Sequence, residues 1–424
     1  MEPGSNIKDI HVYSHWTGMK EPVFMGVLKA EFTRGKEIFS FSYSDNWLKS
    51  RYSQMLDPEL QLYSGSQYAK DEKQNFGIFL DSSPDRWGRL LMKKREAAMA
   101  RLLKRPEKTL RESDYLLGVF DGHWMGALRL KENPDGPFIN NNETLASPPW
   151  TSIRELEQIS LRLEDEEVTD DPEYLKWLTM LVNQGSSLGG ARPKANVLDY
   201  KNNLWIAKFP GKSDIKDIGG WEMVTNELAR NAGLNAVESR IQKFSSKYYT
   251  FLTRRFDRTN TGERIYYASA MTMLGYIGGN NFHDGASYLD IVDFLTQYGA
   301  NIEGDLRELW RRIVFSIFVS NTDDHLRNHG FILTEKGWIL STAFDINPNK
   351  DGVGLSLNIS LDDNSLDLDF ATEVAEYFRL TKEGALKIIE DINNSVTNWR
   401  NVAKKHQLQR SEQEIMSKVF ERFL

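Results

Sequence analysis

The chain of 424 residues contains no cysteine, which excludes disulfide staples and thiolate chemistry and permits a reducing compartment. Long apolar runs are absent too. IVFSIFV at 313–319 falls far short of the roughly 20 residues a bilayer span needs, so no membrane association is expected. The start MEPGSNIKDI has neither the basic opening nor the apolar stretch of a secretory signal, and a cytoplasmic protein is expected. Excess positive charge is lacking as well. A formal charge of -7 argues against a global grip on nucleic acid, which needs concentrated Lys and Arg. There is no internal repeat or low-complexity tract.

What remains is ordinary globular material, with 40% hydrophobic and 27% charged residues, long enough for two domains or one domain with a large added lobe. Residues 23–42, VFMGVLKAEFTRGKEIFSFS, alternate apolar and polar positions around TRGKE and predict a hairpin in a β-rich start. The pattern turns helical over about 86–105. The basic run 93–111, KKREAAMARLLKRPEKTLR, reads as a solvated helix face or as a patch that docks on phosphates or an acidic partner. The stretch 131–149, rich in Pro, Gly and Asn, is the best linker. Two helices follow, the second opened by Asp171 and Pro172. KANVLDY, NLWIAKFP and SKYYTFLTRRF then read as strands with one helix, WEMVTNELARNAG, inserted, which suggests a small antiparallel sheet. From about 286 onward helices dominate.

The densest chemistry lies in NTDDHLRNHGFILTEKGWILSTAFD, 321–345. Asp323 and Asn328 stand five apart, and the strands on either side of the EKG turn double back, returning Asp345 to the neighbourhood of Asn328. Oxygen donors alone suit Mg²⁺, which completes its shell with water and phosphate oxygens. The spacing follows the kinase logic of an aspartate that orients the acceptor hydroxyl and an Asn and Asp that hold metal. His325 and His329 at i and i+4 raise zinc as a rival, but the glutamate of HExxH is missing. His325 is assigned to fixing the loop through Asp323 or the backbone, and His329 to the surface. In QGSSLGGARPKANV, 184–197, Gly185, Gly189 and Gly190 allow main-chain N–H groups to approach an anion, with Arg192 and Lys194 following. The loop lacks the G-K-[ST] of a Walker A motif. Lys208 ends an apolar strand, as the phosphate-binding lysine of kinases does. In the next helix Glu227 is preferred over Glu222 as its partner.

SSLGGARPKA, IAKFP, RRFDR, NTDDHLRN and AFDINP together resemble the HipA-type serine/threonine kinases, the toxins of bacterial toxin-antitoxin modules, and FLDSSPDRWGR at 79–89 resembles their N-terminal subdomain. The resemblance implies an α+β, two-lobed, protein-kinase/PI3K-like fold with a mostly helical C-terminal lobe. An N-terminal subdomain would occupy 1–135 and a kinase core 150–424, with the glycine-rich loop and small sheet at 180–260 and the catalytic lobe at 285–424. It implies ATP and Mg²⁺ as cofactors, Asp323 as the catalytic aspartate with His325 beside it, Asn328 and Asp345 as metal ligands, and Lys208 on the ATP phosphates. Gly185, Ser186, Ser187, Gly189, Gly190 and Lys194 would line the nucleotide, and adenine would meet the main chain of Arg254 and Phe256. Arg254 stands where the family often has glutamate. Ser187, with Ser186 as the alternative, falls at the family's autophosphorylated serine. A phosphate there, carrying about 1.5 to 2 negative charges, would compete for the donors that cradle ATP. Implied partners are a protein substrate among translation components such as aminoacyl-tRNA synthetases, and a helix-turn-helix antitoxin that supplies most contact with DNA. Two other readings stay open: a phosphotransferase acting on a small molecule or lipid headgroup, and a catalytically silent corepressor.

Overall fold

A computed structural model describes residues 7–70, 72–139, 147–165, 168–169, 171–183 and 190–423. Contacts divide the chain into two compact units, one of residues 1–212 with 257–268 and one of 213–256 with 269–424. Both contain helices and strands, and the fold class is α+β.

In the first unit the alternation over 23–42 becomes β2 (Val23–Thr33) and β3 (Lys36–Tyr43), which follow β1 (Ile7–Ser14). Arg34 and Gly35 form the turn with φ of 49° and 79°, the two left-handed positions that match the twist of a tight hairpin. With β4 (Gln67–Tyr68) and β5 (Leu128–Lys131) they form a five-stranded sheet in the order β4-β3-β2-β1-β5. Inward residues Ile10, Val12, Leu28, Phe39 and Phe41 are almost wholly buried. The helices are α1 (Asp45–Leu48), α2 (Gly77–Ser82), α3 (Arg86–Leu102), α4 (Glu112–Leu117), α5 (Ile153–Leu163) and α6 (Tyr174–Asn183). Helix α3 begins where the Asp85 carboxylate accepts the Gly88 N–H at 2.9 Å, a cap worth about 1 kcal/mol. The basic run is partly consumed by internal contacts: Arg105 pairs with Glu96 at 2.6 Å, Lys108 with Asp114 at 2.8 Å, and Arg111 lies 3.4 Å from the centre of the Phe32 ring. The unit closes with the antiparallel hairpin β6 (Lys194–Leu198) and β7 (Leu204–Lys208).

The second unit opens on α7 (Ile218–Asn231), followed by the hairpin β8 (Ser239–Gln242) and β9 (Thr250–Arg254). The strand β8 carries too short an apolar signal to be read from sequence. Strand β10 (Tyr267–Ser269) spans the boundary at 268/269. Helices α8 (Ala270–Met273), α9 (Tyr288–Tyr298) and α10 (Ile302–Phe318) lead into the hairpin β11 (Gly330–Thr334) and β12 (Gly337–Leu340), and α11 (Leu368–Glu373), α12 (Lys382–Val396), α13 (Trp399–Lys405) and α14 (Arg410–Phe420) complete it. The Ser287 hydroxyl and the Asp290 carboxylate form a reciprocal capping box at the start of α9. Trp221 of α7 stacks on Phe420 of α14, and Phe420 on Trp399 of α13, with ring centroids 5.9 and 5.1 Å apart. Ser395 of α12 donates to the Leu228 carbonyl at 2.7 Å. These contacts clamp the C-terminal helices on α7.

Candidate active site

The β11–β12 register places Phe331 opposite Leu340 and Thr334 opposite Gly337, and the Ser341 N–H donates to the Gly330 carbonyl at 2.8 Å. The hairpin therefore returns the chain to the level of Asn328 before Asp345 is reached, as its alternation predicts. One further bond ties the ends, the Asn321 carboxamide oxygen accepting the Asn347 N–H at 3.1 Å, and the Asn347 amide donates locally to Asp345 Oδ1 at 2.9 Å. Asn321, Asn328, Phe344 and Ile346 line a common cavity of about 10 Å³. That is room for about one water and none for a nucleotide. It is a packed node behind the loop, from which Asp345 is presented half-buried with φ of 58°. A left-handed aspartate is uncommon, and such strain gathers at functional sites.

Within the loop, Asp323 is exposed and Asn328 is buried. The Asn328 amide donates to the Asp323 carbonyl at 3.0 Å, a bond that uses its Nδ2 and not its carboxamide oxygen. The Asp323 carbonyl also accepts the His325 N–H at 3.0 Å. His325 thus meets Asp323 through the main chain, while its Nδ1 is buried with no hydrogen-bond partner. One amide oxygen and one carboxylate are hard donors that suit Mg²⁺ if phosphate oxygens complete its shell. Among the described residues no three His, Asp or Glu side chains cluster as metal ligands. The segment 321–329 is not helical, so the two histidines do not form a helical zinc pair.

His329 corrects the sequence reading. It is 2% exposed, and its Nε2 lies 3.0 Å from Asp324 Oδ2, which also accepts the Tyr288 hydroxyl at 2.6 Å. Burial pushes the Asp324 carboxyl up, but His329 beside it and the bonds from His329 and Tyr288 outweigh burial and hold it below its ordinary range. Adjacent aspartates therefore have opposite settings, one facing solvent and one locked inside. The apolar flanks of the motif gave no sign of which was which.

Glu227 is the second correction. Its carboxylate takes Lys405 at 2.6 Å and His406 at 2.7 Å, and so is committed elsewhere, whereas Glu222 on the same helix is 3% exposed. Arg254 donates its N–H to the Glu238 carbonyl at 2.9 Å. Phe256 packs on Phe344, the residue before Asp345, with centroids 5.3 Å apart. In the first unit, Asp257 and Arg258 of RRFDR serve packing: Asp257 accepts the Gly126 N–H at 2.9 Å and Arg258 at 2.6 Å, and Arg258 also donates to the Gly122 and Trp124 carbonyls. Lys208 sits half-buried at the end of β7, directly opposite Lys194. Lys194 is buried and ion-paired with Asp85 at 2.7 Å. Gly190 is described, while Gly185, Ser186, Ser187 and Gly189 lie outside the described residues.

On this α+β scaffold, tertiary packing sets an oxygen-rich loop beside a hairpin that leads to a left-handed aspartate. The family model described as HipA-like C-terminal domain matches residues 186–399, half of the chain, and the protein belongs to that family. HipA of Shewanella oneidensis MR-1, solved as a toxin-antitoxin complex with HipB and operator DNA, superposes with a TM-score of 0.65 at 16% identity, over 97% of this chain and 96% of that one. That likeness establishes the fold. A Haemophilus influenzae (strain ATCC 51907 / DSM 11121 / KW20 / Rd) protein described as "Putative kinase" is 28% identical over 167 residues, 35% of this chain and 48% of its own length. The chain thus spans about half the length of that curated relative.

Proposed function

We propose that the protein is an ATP- and Mg²⁺-dependent serine/threonine protein kinase of the HipA type, which autophosphorylates on Ser187 and phosphorylates a cytosolic, translation-related protein. The observation that carries this reading is the hairpin node, which brings Asn328 and the segment bearing Asp345 to one place beside the exposed Asp323. Asp323 aligns the acceptor hydroxyl and takes its proton, and the buried Asp324–Tyr288–His329 network holds the loop that carries it. Asn328 and Asp345 would hold Mg²⁺, whose chemistry when bound is to neutralise charge on the transferring phosphoryl group. Lys208 would bind ATP phosphate, and the Arg254 carbonyl with Phe256 would receive adenine.

The same reading divides the chain into an N-terminal subdomain at 1–135 and a kinase core at 150–424. It gives the protein a helix-turn-helix antitoxin through which DNA is bound; the Shewanella toxin-antitoxin complex contains HipB and operator DNA. The net charge of -7 accords with that division of labour. A cytoplasmic location belongs to the proposal as well. No described helix is long and apolar enough to cross a membrane.

The test is incubation of the purified chain with labelled ATP and Mg²⁺, beside Asp323→Gln, with the phosphate mapped by mass spectrometry. Label on Ser187 that disappears in the variant supports the reading. Absence of label, with no ATP-induced rise in melting temperature, overturns it.

A further inference from the structure

Lys194 follows a glycine-rich stretch and looks, in sequence, like a cation for phosphate. Its surroundings say otherwise. The side chain is 1% exposed, and its ammonium lies 2.7 Å from Oδ2 of Asp85, itself 2% exposed, 109 residues earlier in the chain. The other Asp85 oxygen accepts the Gly88 N–H at 2.9 Å, so both carboxylate oxygens are engaged. Asp85 caps α3 and neutralises Lys194 at once.

Two further observations give the pair a direction. Gly190 has φ of 104°, and a Cβ there would stand 3.4 Å from Lys194 Nζ. The ammonium thus passes just beneath the backbone of the last glycine in the stretch, held in a conformation that L side chains rarely adopt. On the other side, Lys194 and Lys208 are direct partners across the β6–β7 ladder, where like charges repel. The Asp85 charge cancels the inner lysine and lets two lysines face each other at the strand ends.

We propose that the Asp85–Lys194 pair is a buried strut: it fixes Gly190 over β6 and sets the end of β7, so that Lys194 positions the nucleotide site without touching phosphate. This rests on the nucleotide-binding reading above and extends it to Asp85, in a part of the sequence where that reading has no residue. Asp85 and Lys194 are positioning residues, and Lys208 keeps the role of phosphate contact.

The experiment is a double-mutant cycle on the full chain, Asp85→Asn, Lys194→Met and both together, measuring melting temperature, ATP affinity, and KM for ATP against kcat. A strut predicts that each single variant lowers the melting temperature and raises KM for ATP roughly tenfold with kcat largely kept. The double variant then recovers most of both losses, because neither buried charge is left alone. A phosphate contact predicts the reverse: Asp85→Asn frees the lysine and tightens ATP, and the double variant binds as poorly as Lys194→Met. That result overturns the proposal. Should Asp85→Asn fail to fold, the comparison of Lys194→Met with the double variant still decides, and Gly190→Ala is expected to raise KM for ATP with kcat kept. If the wild-type chain itself binds no ATP, it is the nucleotide reading that has failed. If wild type binds ATP and the double variant does not recover, only the strut has failed.

Discussion

Asp323 and Asp324 are chemically identical neighbours, and replacing each by alanine separates chemistry from scaffolding. Asp324 accepts from the Tyr288 hydroxyl at 2.6 Å and faces His329 Nε2 at 3.0 Å, and all three side chains are buried. Removing the buried carboxylate leaves two buried side chains without their hydrogen-bond partner, at about 1–3 kcal/mol each, or about 3–5 kcal/mol together. For a body of some 200 residues each kcal/mol moves the melting temperature by about 2–4 °C, so Asp324→Ala is expected to melt roughly 6–20 °C lower. Asp323 is exposed, and what it gives the loop is its main-chain carbonyl, which accepts the Asn328 amide and the His325 N–H and survives in alanine. Asp323→Ala should therefore stay within about 0.5 kcal/mol of the parent while losing phosphotransfer. Thermal unfolding followed by circular dichroism, with an autophosphorylation assay on the same samples, reads both. An Asp324→Ala protein that melts within about 2 °C of wild type, or an Asp323→Ala protein that falls as far as its neighbour, refutes the reasoning.

Asp217 gives a pH signature, because burial lifts its carboxyl from 3.8 to about 6 despite the Gly220 and Tyr249 N–H groups it accepts. The folded state then holds that proton more tightly than the unfolded one, so stability falls as pH rises from about 4 to about 6 and stays low above, a loss of about 2–3 kcal/mol. Asp217→Asn keeps an oxygen for both donors, and urea unfolding should show it more stable than wild type at pH 8 with the gap closing toward pH 4. Glu227→Gln releases Lys405 and His406 at a partly exposed site, and is expected to cost under about 1 kcal/mol and to leave KM for ATP unchanged; a large rise in that KM would restore it as partner of Lys208. Arg258→Met removes the guanidinium that meets the fully buried Asp257 carboxylate and donates to the Gly122 and Trp124 carbonyls, with an expected loss of about 3 kcal/mol or more by denaturant unfolding.

The sequence by itself determined the local devices. The TRGKE hairpin, the α3 and α5 helices and the doubling back of 330–341 follow from alternation, turn residues and helical spacing, all of which act between residues a few positions apart. The spacing from Asp323 to Asn328 to Asp345 was legible for the same reason. Only the tertiary structure decided which charges are buried and by what they are met. Asp85 reaches Lys194 across 109 residues, and the Glu412 carboxylate accepts the Asp217 main-chain N–H across 195. His329 lies inside against Asp324, and Glu227 turns to Lys405 and His406. A carboxylate carries the same symbol in water and in a core. Its chemistry is set by desolvation and by the donors that long-range packing delivers, and no run of neighbouring letters encodes those.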